Sequence, residues 1–180
     1  MDDLKTQSLD PVTFEVLKNS FITSVDQMAE RMLRTCYSFV IYNRDFSNGL
    51  HDAEGNSVAQ GNQDIAVHVG TLHYTCKDVL RYFEGEMLPG DVYAINDPYA
   101  GGTHFSDVRL VRPIFDDDAL IGFSQSNGHW SDLGGTVPGS FDVMSREMFG
   151  EAVRITPVRL FHGGRFCRDV ADLIANNTRD

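Results

Sequence analysis

The chain predicts an α+β fold: a mixed or antiparallel sheet with an N-terminal helix and one or two further packing helices. Three observations point there. A long amphipathic stretch lies near the start, short β-rich runs broken by turn residues follow it, and two facing runs form a hairpin between residues 108 and 127.

In residues 11–35, Phe14, Leu17, Phe21, Val25, Met28 and Met32 recur at steps of three and four. Asp10 suits the N-cap, Pro11 the first helical position and Glu15 the first turn. With Lys18, Asp26, Glu30 and Arg31 opposite, this is a core-packing helix whose methionines fill gaps. Residues 38–43, 46–52 and 65–69 read as strands, the second ending at the turn Asp52-Ala53-Glu54-Gly55-Asn56. A second helix covers 72–83, with Leu72, Cys76, Val79, Leu80 and Phe83 on one face and Gly85 ending it. Pro89-Gly90 turns the chain into a strand at 91–96. The hairpin pairs 108–115 with 119–127 across Asp116-Asp117-Asp118, a solvated turn. Loop texture follows, then a strand at 152–160 and a last helix from Arg168 that runs to the end without a C-cap.

Twenty-six acidic against 15 basic residues give a formal charge of −11. Such a surface repels a phosphate backbone, so a metal, a cationic substrate or a less acidic protein fits better than nucleic acid. No apolar run reaches the roughly 20 residues a membrane span needs, and residues 1–5 lack the basic start and apolar core of a signal peptide. Cys36, Cys76 and Cys167 are odd in number and show no CxxC spacing, which favours reduced core thiols and a cytoplasmic setting.

The chemistry-bearing stretch is Asn96-Asp97-Pro98-Tyr99-Ala100-Gly101-Gly102-Thr103-His104-Phe105-Ser106-Asp107. Asp-Pro breaks the strand, and Gly101-Gly102 permits positive φ or close approach to a ligand. An imidazole and a carboxylate at His104 and Asp107 are groups that Zn, Mn or Fe accepts. If the hairpin turn centres on Asp117, paired positions sum to about 234, which sets His129 across from residues 103–107. Three such ligands leave a coordination position open for water or substrate.

An HxxD spacing is weak by itself, and a single strand histidine is more often structural. With His129 and the double glycine added, the residues leave the metal and structural readings open. His51, His68, His73 and His162 have no comparable company and read as structural. Asp45, beside Arg44, reads first as half of an ion pair. The segment Asn127-Gly128-His129-Trp130-Ser131-Asp132-Leu133-Gly134-Gly135 offers amides, a carboxylate and an aromatic wall, or is a plain glycine-rich turn anchored by Trp130. No GxSxG, GxGxxG or P-loop occurs, so nothing supports a serine hydrolase or self-contained nucleotide binding.

Four motifs in one order carry a resemblance: Asp10-Pro11-Val12-Thr13-Phe14-Glu15-Val16, Arg44-Asp45-Phe46-Ser47, the Asn96–Asp107 stretch and Gly128-His129-Trp130-Ser131-Asp132-Leu133-Gly134-Gly135. Together they resemble the N-terminal region of the hydantoinase B/oxoprolinase family, which includes N-methylhydantoinase and caprolactamase subunits and acetone and acetophenone carboxylase subunits. The resemblance implies that residues 1–180 correspond to the N-terminal, metal-binding third of a larger multidomain subunit. It implies zinc or manganese, with iron also compatible, held by His104, Asp107 and His129 with Asp45 as a fourth ligand. Gly101, Gly102 and Trp130 would then border the substrate, and Asp132 would act as a base or orient His129. Relatives often carry a second histidine where this chain has Trp130, which changes the substrate wall and leaves the ligand set intact. The implied activity is ATP-dependent hydrolysis of a cyclic amide in a hetero-oligomer. ATP and Mg belong to a hydantoinase A-like partner that phosphorylates the amide. The alternatives are a ketone carboxylase subunit and a non-catalytic fragment with a vacant site.

Overall fold

The structure, a computed structural model, describes residues 9–179; the readings made on residues 1–5 and on Asp180 lie outside them. Helix α1 (Pro11–Thr35) starts where the N-cap pattern places it, because the Asp10 carboxylate accepts from the Val12 and Thr13 amides, both at 3.0 Å. Only its C-terminal half is a core face. Val25 and Ala29 are buried, whereas Phe14, Leu17 and Phe21 are 40–53 % exposed. A helix of 25 residues extends about 37 Å and outruns the short edge strand it crosses.

Strands β1 (Phe46–Asp52), β2 (Ser57–Gln60), β3 (Val92–Ile95), β4 (Asp107–Asp116), β5 (Ala119–His129), β6 (Val158–His162) and β7 (Arg165–Phe166) form one sheet. Its order is β2-β1-β5-β4-β3-β6-β7, and every neighbouring pair is antiparallel. The sequence pattern did not show β2 and β7. Each is the short return arm of a hairpin, too brief to carry alternation of its own. Helix α4 (Leu72–Tyr82) covers one sheet face, and its Cys76 and Val79, with Phe83 just beyond, meet Tyr93, Ile95, Val111 and Phe123. Each such buried apolar side chain contributes about 1.5–3 kcal/mol. All three cysteines are free, and burial pushes the Cys76 thiol up to about 12.

Three expected strands differ. Residues 38–43 form the one-turn helix α2 (Phe39–Tyr42), because Ser38 Oγ accepts from the Ile41 amide and Asn43 Nδ2 donates to the Phe39 carbonyl. Those side-chain bonds outweigh the β propensity of Val40 and Ile41. Residues 65–69 contain the turn-like helix α3 (Ala66–Val69), since β1 already has a neighbour on each side. The strand expected at 152–160 begins only at Val158. Before it, the Asn96 side chain takes the Ile155 amide and the Val153 carbonyl, and Pro157 has no N–H to give. Helix α5 (Arg168–Ala175) closes the chain and packs on β6.

Candidate metal centre

Antiparallel pairing gathers the start of β1, the end of β5 and the start of β4 at one end of three adjacent interior strands. Phe46 pairs with Gly128, and Asp107 pairs with His129, two steps from the hairpin arithmetic and within the stretch it marked. Asp45 precedes β1, and its carbonyl accepts from the His129 amide at 3.2 Å. Ser38 Oγ donates to the His129 carbonyl at 3.1 Å, so the His129 backbone is held on both sides.

His104 comes from the glycine loop. Asp97 caps its first turn by accepting from the Tyr99 amide at 3.0 Å, and Arg154 Nε holds the same carboxylate at 2.8 Å. Gly101 has φ 84°, and a Cβ there would lie 2.7 Å from the Thr75 amide nitrogen on α4. Only glycine serves where a left-handed turn is pressed against a helix.

Asp107 is fully buried. Its Oδ2 accepts from the Thr103 hydroxyl and lies 3.1 Å from His68 Nε2, while its buried Oδ1 has no hydrogen-bond partner. His129 Nδ1 is likewise buried without a hydrogen bond, 4.0 Å from that Oδ1 and 3.3 Å from Asp45 Oδ2. His104 Nε2 stands 3.7 Å from Asp107 Oδ2. One ligand atom from each of His104, Asp107 and His129 falls within 4.8 Å of the others, and the same holds for Asp45, His68 and Asp107.

Burial pushes the Asp107 carboxyl up, but the His68 hydrogen bond, the neighbouring histidines and the Asn127 side chain outweigh it and hold the group below the usual carboxylate range. Burial and the nearby His104 hold His129 below the usual imidazole range, against the pull of Asp45 and Asp107. An ionised carboxylate beside a neutral imidazole is the protonation state a metal requires.

Two buried orphan atoms facing one another are costly unless something takes them. Two imidazoles and two carboxylates are a donor set for Zn, Mn or Fe(II). The residues present therefore fit a divalent ion. The Ser106 amide donates to His104 Nδ1 at 3.2 Å, which sets the half-exposed ring with Nε2 on the Asp107 side.

The other expected site residues are dispersed. Gly101 lines a groove with Tyr74, Lys77, Arg81 and Tyr99 on the α4 side. Gly102 sits over the Asp97 carbonyl. Trp130 and Asp132 line another groove with Tyr37 and Phe39. The Asp132 carboxylate accepts from the Gly134 and Gly139 amides, both at 2.7 Å, and from Arg179 at 3.1 Å. Read from sequence as structural, His68 packs directly on Asp107. Its surroundings in the sequence gave no signal, because its partners Ser47, Asp107 and Asn127 come from distant strands. Asp45 lies nearest His129, and Arg44 instead donates to Gln63.

Fold and site together define an α+β domain with a His/Asp metal-type centre on adjacent strand ends. The chain belongs to the hydantoinase B/oxoprolinase family, whose sequence profile matches residues 10–180. It is 34% identical over 173 residues to the caprolactamase subunit beta of Pseudomonas jessenii, covering 96% of this chain and 30% of that protein. The crystal structure of the ATP-dependent caprolactamase from Pseudomonas jessenii superposes with a TM-score of 0.86 at 31% identity, over 96% of this chain and 30% of that one. A nucleotide-free acetone carboxylase structure shares the fold, with a TM-score of 0.86 at 23% identity over 94% of this chain and 23% of that one. The chain thus spans less than a third of the length of these relatives. Among the described residues, no helix is long and apolar enough to cross a membrane.

Proposed function

We propose that this chain is the metal-bearing part of an ATP-dependent hydrolase acting on a cyclic amide, of the hydantoin, lactam or oxoproline type. The observation that carries the reading is the pair of buried atoms Asp107 Oδ1 and His129 Nδ1, 4.0 Å apart and neither hydrogen-bonded, with His104 and Asp45 beside them. The likeness to a caprolactamase subunit beta supports the substrate class.

His104, Asp107, His129 and Asp45 would hold zinc or manganese. Such an ion supplies Lewis acidity that brings the pKa of a water from about 16 toward 7. An unstrained amide is a poor electrophile. A hydantoinase A-like partner with ATP and Mg would phosphorylate its oxygen and give the carbon a leaving group. A cavity of about 170 Å³ opens beside His104, walled by Phe105, Phe141 and Val143. These apolar side chains suit the methylenes of a ring, and Ser106, Ser140, Asp142 and Glu151 supply polar groups on the same wall. The loop bonds of Asp132 support a scaffolding role for it over that of a base.

Ketone carboxylation is the competing reaction on this fold. The test is substrate-dependent ATP hydrolysis by this chain with an A-type ATPase subunit, with and without bicarbonate. Turnover with a hydantoin or lactam, independent of bicarbonate, is expected. Bicarbonate-dependent turnover with a ketone would sink the hydrolase reading.

A further inference from the structure

Behind Asp107 runs a row of buried polar side chains whose hydrogen-bond directions descend from one cation. Arg109 is fully buried, and a guanidinium offers donors only. A guanidinium keeps its charge at neutral pH and has no lone pair to offer, so every contact it makes runs outward from it. Its Nε donates to Asn127 Oδ1 at 3.1 Å, and its other N–H groups go to Thr71, Thr75 and the Gly101 carbonyl.

With Oδ1 so occupied, the Asn127 amide turns Nδ2 toward His68 Nδ1, 3.1 Å away, where Ser47 Oγ also lies at 3.0 Å. A ring nitrogen that accepts the Asn127 N–H carries no proton, so in neutral His68 the proton sits on Nε2. That Nε2–H faces Asp107 Oδ2 at 3.1 Å and donates to it. Thr103 donates to the same oxygen, which leaves Oδ1 as the free lone-pair bearer.

We propose that Arg109, acting through Asn127, fixes the tautomer of His68, and that His68 is thereby a positioning residue turning Asp107 Oδ1 toward the metal. The proposal rests on the metal reading above and assigns His68 a role apart from the ligands. Arg109 couples the same row to the loop that presents His104, because it also holds the Gly101 carbonyl.

The test has two arms on the full chain. A long-range ¹H–¹⁵N correlation spectrum at neutral pH reads the tautomer directly. A proton on His68 Nε2 and none on Nδ1 is expected, and the opposite tautomer overturns the relay. Zinc affinity is then measured for His68→Gln, whose amide keeps a donor toward Asp107, and for His68→Leu, which has none. His68→Leu is expected to weaken zinc about 10–100-fold and His68→Gln less than about threefold, the scale of groups that orient metal ligands. Equal weakening in both variants overturns the positioning role. So does a second zinc equivalent that disappears in His68→Gln, which would make His68 a ligand. A parent chain that binds no zinc ends the metal reading and the positioning role with it. The tautomer result separates that failure from an error in the relay.

Discussion

Asp107→Asn replaces one oxygen by an NH₂ group at nearly constant volume, at a position with no solvent exposure. Two donors, Thr103 and His68, converge on Oδ2, so the asparagine carbonyl is drawn to that side. Its NH₂ group then occupies the place of Oδ1 and presents hydrogens where a metal needs a lone pair. Rotating the amide restores an oxygen ligand but leaves the buried His68 donor without an acceptor, at about 1–3 kcal/mol, while the Thr103 hydroxyl can turn to accept. That orientation cost is roughly fivefold or more in affinity, before the lost charge is counted. Stability without metal should change by less than about 2 kcal/mol, because the desolvation cost of the buried carboxylate disappears with its hydrogen bonds. Zinc competition against a chromophoric chelator measures the affinity, and urea unfolding in chelator measures the stability. A variant that binds zinc within about threefold of the parent would refute the assignment of Asp107 Oδ1 as a ligand atom.

Arg109→Met keeps bulk but strands the acceptors on Thr71, Gly101 and Asn127, so a loss of about 3–5 kcal/mol is expected in urea unfolding. A loss below about 1 kcal/mol would show the row to be hydrated or slack. Gly101→Ala meets both a positive φ and the α4 backbone and should cost more than about 2 kcal/mol and lower zinc occupancy. Gly164→Ala, with φ 78° and nothing within 4 Å of its Cβ, should cost only about 1 kcal/mol; equal costs would remove the close-approach argument. His51 is buried with neither ring nitrogen hydrogen-bonded, and burial, with His73 second, holds it down to about 4. The unfolded chain takes up this proton near pH 6.5 and the folded chain only near 4. The stability contributed by the neutral ring is therefore complete above the unfolded pKa and lost as pH falls through that window, by up to about 3 kcal/mol. His51→Leu should flatten the stability profile between those values, as followed by urea unfolding; an unchanged acid slope would assign the loss to other groups.

Much of the scaffold was legible because its signals are local. Asp10 and Pro11 announce α1, Gly85 bounds α4, and the acidic triplet Asp116-Asp117-Asp118 marks the hairpin that carries the site. That hairpin's register brings His129 to Asp107, so part of the centre could be read from spacing. The misread segments are those where a polar side chain captures backbone groups: Ser38 and Asn43 curl residues 39–42, and Asn96 delays β6. His68 and Arg109 could not be read as site residues. Their roles arise only when β1, β4, β5 and α4 pack, and Arg109 alternates along β4 like any strand residue.

Metal stoichiometry of the purified chain after expression with zinc or manganese is the most direct measurement of the centre. Close to one equivalent in the parent is expected, falling below about a tenth in His104→Ala and His129→Ala while their circular dichroism stays that of the parent. Less than about a tenth of an equivalent in the parent, or full occupancy in either folded variant, would contradict a metal held between Asp107 and His129.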